Sequence, residues 1–505
     1  MVSLYEVEEN DPLKNTMLRT LTALLAVLAV GTAMASCGSQ TPSGTDTADV
    51  GTDSSVVTEA PDPAAVYGLQ SEDFGGAEMK FYVTGSNADC GAAWESFDIF
   101  AETETGDIVI DAVFARNAWV EETYNVKITE YKPTTDTAAD TMKNAVAAGD
   151  SDGDALVESF ERLCSLATNG YLLDMAAISD LKLDSKWWDQ GAIDGVSIGG
   201  HVYMATGDLL IVDNDATWVL MFNKQLAEEF DYDFYTMIDE NKWLFEDFFS
   251  IARDTAMDLN GDGKIKIEDD RYGLVTAYNT PEALITAAGL TLATKDANDI
   301  PVMETDLEKL SAVIATAGEF YSDRNVVYGS DYQKAADAFV GGRGLFYGEV
   351  LQCVTRMRES NTDFGMIPWP KYEASQENYY SFIIPAAGHA VALPTTLTDT
   401  HMAAVVLDAM AAKSMDTLTV AYYDKALTQK YMRDENSIRM LDMIIGSRIF
   451  DQSHFYMYGW GDMYSKMAGN LQNGRDLTMS TWEKNIDKAR ADLEATVAAF
   501  EANAQ

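Results

Sequence analysis

Residues 258–270 read DLNGDGKIKIEDD, a spacing suited to wrapping a hard cation. Asp258, Asn260 and Asp262 occupy alternate positions. Gly263 follows where the chain must turn sharply. Lys264 offers its carbonyl, Ile265 packs inward, and Asp269 closes the loop at the twelfth position. Calcium takes six to eight oxygens, and this spacing aims them at one point. The bland alternative is an Asp/Gly-rich surface turn. A calcium switch, or a docking module of an adhesion protein, needs a second such loop, and the sequence has only this one. A strand-like stretch, RYGLVTAY, follows it directly. The loop therefore reads as a structural staple holding one Ca2+.

Other chemistry is thin. The four histidines, at 201, 389, 401 and 454, form no HExxH pair, and there is no CxxC, so a zinc site has no support. GGRG, at Gly341 to Gly344, lies between a helical stretch and a strand. Phosphate cradles have the opposite order, so a helix cap and tight turn is the better reading. With 81 Asp and Glu, paired carboxylates arise everywhere by chance and point to no catalyst. Aromatic residues, 10% of the chain, could stack on sugar rings beside acids and amides that bond hydroxyls. Most of them are expected in the core.

The elements that would position such groups alternate. MKFYVTG reads as a strand, DAVFARNAWVEETYN as a helix, VKITEY as a strand, DTAADTMKNAVAAG as a helix and DALVESF as a strand. That rhythm predicts an α/β layer with parallel strands. Beyond Met402 helices predominate. The charge is −46, from 35 basic and 81 acidic residues, which argues against nucleic-acid binding and against adhesion to anionic lipid.

The ordered series DALVESFERLCSLATNGYLLDM, SKWWDQ, GGHVYMATGDL, WVLMFNKQLAEEF, ADAFVGGRGLFYGE, DFGMIPWPKYEASQENYYS and AGHAVALPTT resembles the extracellular solute-binding proteins (family 1, maltose-binding-protein-like) of bacterial ABC importers. ETGDIVIDAVFARNAWVEETYNV resembles a Firmicutes branch. The resemblance runs from about residue 75 to the end. It departs at Lys242-Trp243, where better-known sugar receptors carry a Pro-x-Thr-Trp turn. It implies an α/β, two-lobed periplasmic-binding-protein-like type II fold with a helical C-terminal region. Lobe one is expected at 75–205 plus 365–395, and lobe two at 208–362 plus 400–503. Its function implies a monomeric receptor, not an enzyme, that captures a carbohydrate in the cleft by hinge closure and delivers it to permease subunits. Motif order puts ligand contacts at Asn87, Trp94, Phe160, Glu161, Asp208, Tyr278, Asn279 and Trp460; for Trp460, core packing is the alternative. A surface glycoside hydrolase, or a receptor for a peptide or another polar solute, are the rival readings.

The N-terminus agrees. MLRTLTALLAVLAVGTAMASCGS, from Met17, has one arginine, an apolar run and small residues before Cys37, the pattern of a secretory lipoprotein signal. Residues 1–36 are expected to be removed, with the true start at Met17, and Cys37 lipidated. Residues 37–70 are Ser/Thr/Asp-rich and read as a disordered tether. The body is expected on the extracellular face of the cell membrane, held by its lipid alone.

Overall fold

The computed structural model describes residues 62–86, 94–150, 152–357, 362–427, 435–456 and 460–503. Cys37, Asn87 and Cys90 lie outside them. Two sheets carry the chain. The first contains β1 (Ala77–Val83), β2 (Val126–Tyr131), β3 (Ala155–Ser159) and, from far downstream, β10 (His389–Ala392), in the order β10-β3-β1-β2. β1 runs parallel to β2 and β3, and β10 is antiparallel to β3. The second contains β4 (Thr217–Asn223), β5 (Tyr272–Thr276), β6 (Val327–Tyr328), β7 (Gly344–Val350), β8 (Phe364–Ile367), β9 (Ser381–Ile383) and β11 (Arg448–Ile449). Its order is β11-β9-β4-β7-β5-β6, with β8 also on β4.

The helices fall where local chemistry places them. The Asp107 side chain accepts the N–H groups of Val109 and Ile110 to start helix Ile108–Tyr124, and Asn125 ends it in the left-handed region at φ 46°. Thr137 and Gly149 cap helix Ala138–Ala148 in the same way. Helix Tyr332–Val340 ends at Gly341, Gly342 turns at φ 70°, and β7 follows, so the GGRG stretch is a cap and turn. β3, β4, β5 and β7 are buried along their whole length. Helices cover both faces of such strands, which accounts for their nearly continuous apolar sequences. Among the described residues no helix is long and apolar enough to cross a membrane.

The partition of the chain differs from the boundaries expected above. β8 and β9 pair with β4, so 364–383 belongs to the second lobe and only β10 returns to the first. Helix Thr400–Ser414 packs on helix Ile108–Tyr124 and lies in the first lobe's core. The reason is an internal carboxylate. Asp408 accepts both indole N–H groups of Trp187 and Trp188, each at 2.9 Å, and the Lys182 N–H, also at 2.9 Å. Cys164, in helix Phe160–Thr168, and Cys353, just past β7, are buried thiols.

Candidate functional site between the lobes

The registers fix where the two lobes face each other. His389 pairs with Ser159, so β10 begins at the carboxyl end of β3, beside the carboxyl end of β1. Trp218 pairs with Val350 and Thr217 with Ile383, so β4 begins, and β9 ends, at the carboxyl end of β7. β5 runs parallel to β7 and ends on the same side. The crossings 205–217 and 384–388 therefore join the carboxyl edges of both sheets. In open α/β sheets that edge is where ligands bind.

Several expected residues lie at this edge. Trp94 is half-buried past the end of β1. Glu161 is half-buried past β3; its backbone N–H donates to the Pro385 carbonyl at 3.1 Å, and burial pushes its carboxyl pKa up. Tyr278, two residues beyond β5, is 59% exposed, and Asn279 beside it begins a helix without a side-chain cap bond. Asp208 lies at the first crossing, where the Thr419 hydroxyl donates to it at 2.7 Å and burial pushes its pKa up.

Two expectations are corrected. Phe160 is fully buried and packs edge-on against Phe450 and Phe455, with ring centroids at 5.8 and 5.1 Å. Helix Phe160–Thr168 starts at this residue, which turns the ring inward instead of to the rim. Trp460 is also fully buried: it stacks on Tyr456 at 5.2 Å, and its indole N–H donates to the Thr496 hydroxyl at 3.0 Å. It is a core residue of the C-terminal helices. A cavity of about 490 Å3 is lined by Glu161, Arg162, Ser165, Phe455, Tyr456 and Thr496.

Sequence reasoning missed the charged floor of the crossing. Asp98 accepts the N–H groups of Ile211 and Val212 and the Ser96 hydroxyl. Arg116 donates to the carbonyls of Ile99 and Leu209 and to the Ser414 hydroxyl, and burial lowers its pKa to about 10. Glu158 accepts from the Thr84 hydroxyl and the Ala139 N–H. His389 is buried with Nδ1 unpartnered; burial pushes its pKa down while Glu158 and Asp98 pull it up. Burial pushes Asp213 up to about 6 despite its pairing with Arg448. An arginine on the inward stripe of helix Ile108–Tyr124 was the readable signal for this cluster.

The calcium-type loop folds as a run of side-chain-capped turns. Asp258 accepts the N–H groups of Gly261 and Gly263, Asn260 that of Asp262, and Asp262 that of Lys264. Gly263 sits at φ 79°, as the sharp turn requires. Buried Asp270, not exposed Asp269, accepts the N–H groups of Leu259 and Lys266, both at 2.9 Å. Lys266 pairs with Asp262 at 2.6 Å. Among the described residues no three His, Cys, Asp or Glu side chains are gathered as they stand to hold a metal.

No family model matches the chain, and no curated protein matches it. Solved structures do. A sugar transporter from Rhizobium etli in an open conformation aligns over 84% of this chain and 99% of its own, at 12% identity and a TM-score of 0.54. A family 1 extracellular solute-binding protein from Bifidobacterium longum subsp. infantis aligns over 85% and 100%, at 11% identity and 0.51. The fold is that of the two-lobed solute-binding proteins. An ABC substrate-binding protein from Listeria monocytogenes, in complex with cycloalternan, aligns over 82% and 99%, at 13% identity and 0.50. At these identities the likeness concerns architecture. The solute-binding fold accounts for the crossings and for the carboxyl edges that face each other across them.

Proposed function

We propose that this chain is a lipid-anchored substrate-binding receptor of an ABC importer that captures a carbohydrate, an oligosaccharide, between its lobes and performs no catalysis. The observation that carries this reading is the convergence of the carboxyl edges of both sheets on the same crossings, with Tyr278 exposed at one of them. An exposed phenol ring can stack on a sugar face, and Trp94, Glu161 and Asn279 supply amphipathic and hydrogen-bonding groups around it. The relatives named above include a sugar transporter and a protein holding cycloalternan, which supports a carbohydrate ligand. ABC permease subunits are the partner this reading requires.

A glycan panel screened by thermal shift tests it, since a ligand that binds the folded state raises the melting temperature by mass action. At least one oligosaccharide is expected to bind and be recovered intact. Tyr278→Ala should weaken that ligand about tenfold, the loss of roughly 1.4 kcal/mol of stacking, with an unchanged melting temperature. Hydrolysis products would replace the receptor with a glycosidase, and a panel without any shift would remove the carbohydrate.

Membrane attachment rests on Cys37, at the end of the leader-like stretch. Cys37→Ser is expected to move the protein from the membrane fraction to the soluble one; full retention would refute lipidation. The loop at 258–270 is proposed to bind one calcium ion through Asp258, Asn260, Asp262, Asp269 and the Lys264 carbonyl, with Lys266 released from Asp262. Its three consecutive side-chain-capped turns support that reading.

A further inference from the structure

Arg448, the first residue of β11, has a side chain only 4% exposed. Its guanidinium donates to Asp213 at 3.0 Å, to Asn214 at 2.9 Å and to Asp189 at 2.6 Å. The first two acceptors, in the short helix Val212–Asp215, lie at the end of the crossing that leads into β4 of the second lobe, which also carries Arg448. Asp189 belongs to the first. Its backbone N–H donates to the Thr206 carbonyl at 2.9 Å, and the two tryptophans before it are rooted on Asp408 in the first lobe's core. One of the three bonds therefore crosses the boundary.

Beyond Asp189 the chain continues as a strap laid over the second lobe. Helix Gln190–Val196 puts Gly195 against Phe450, where a Cβ would collide with the Phe450 side chain. The Gln452 amide donates to the Ser197 carbonyl at 2.6 Å. Lys295 donates to the Ser197 hydroxyl at 2.8 Å, pairs with Asp299 at 2.7 Å and also bonds the Asp194 carbonyl. Asp299 in turn accepts the Gly200 N–H at 2.9 Å.

We propose that the strap from Asp189 to Gly200 is an interlobe latch, pinned at one end by Arg448 and at the other by Lys295 and Asp299, that holds the lobes together in the ligand-free protein. Parting the lobes would strip the half-buried Asp189 carboxylate of its charge partner and cost the buried Arg448 guanidinium one of its three bonds. Closure would then not wait for a ligand, and ligand entry would require the latch to part.

The variant that isolates the latch is Asp189→Asn. Asparagine keeps the helix cap, in which the Asp189 side chain accepts the Ala192 N–H, and it leaves Arg448 its other two partners, Asp213 and Asn214. Combining it with Lys295→Met releases the other end. Small-angle X-ray scattering on the ligand-free full chain is the readout, with thermal melting alongside. The latch predicts a larger radius of gyration for Asp189→Asn and a further increase in the double variant, with far-UV circular dichroism unchanged. An unchanged radius of gyration in Asp189→Asn overturns the proposal, whether or not the melting temperature falls, because a purely structural ion pair would lower stability without moving the lobes. Should the double variant fail to fold, the single variant decides alone. The test needs no ligand, so its failure and failure of the receptor reading are separate results.

Discussion

Trp460→Ala is expected to destabilise the protein by about 3–5 kcal/mol while leaving glycan affinity unchanged. The indole is fully buried, so truncation removes its transfer free energy and opens a cavity that the surrounding helices can fill only in part. Two specific contacts go with it: the parallel stack on Tyr456 and the bond to Thr496 in helix Thr478–Asn503. Urea denaturation would register the loss as a fall in midpoint at constant slope. Isothermal titration with a bound glycan supplies the second number. A tenfold loss of affinity with stability intact would return Trp460 to the ligand site and invalidate its assignment to the core.

Removing calcium from the proposed site is expected to give the second large effect. Binding that is confined to the folded state adds about 2.7 kcal/mol when the ion is at a hundredfold excess over its dissociation constant. Chelator is therefore expected to lower the melting temperature relative to millimolar calcium, and the effect should vanish in an Asp258→Ala, Asp262→Ala variant. The ladder beyond the loop should survive, because Asp270 holds Leu259 and Lys266 through the protein's own backbone and β5 starts at Tyr272. Equal melting temperatures in the two buffers would leave the loop as a turn stabilised by its own side chains.

Local elements were readable from local chemistry. The strand VKITEY is observed at Val126–Tyr131, and the helix expected at 111–125 is observed at Ile108–Tyr124, bounded by the cap residues Asp107 and Asn125. The helical stretch expected beyond Met402 is likewise observed, ending in the long helix Thr478–Asn503. What the sequence concealed was non-local. β8 and β10 are both short and apolar, and nothing in either says that one pairs with β4 and the other with β3. That choice is made by distant partners. The same limit explains the site. An exposed Tyr278 and a buried Trp460 look alike in a sequence, because burial is decided by what arrives from elsewhere, here Tyr456 and Thr496. The floor of charges escaped for a related reason: among 81 acidic residues, Asp98, Asp189 and Asp213 acquire meaning only once Arg448 and the backbone of residues 211–212 are brought to them.

The two buried thiols among the described residues give the molecule a pair of internal clocks. Cys164 lies in the first lobe, where burial raises its pKa to about 12, and Cys353 lies in the second. Neither can react with an alkylating reagent until its own surroundings open. Peptide mapping after timed alkylation would therefore read the opening free energy of each lobe separately, in one unmodified sample, and would tell whether the lobes unfold as one cooperative unit or as two.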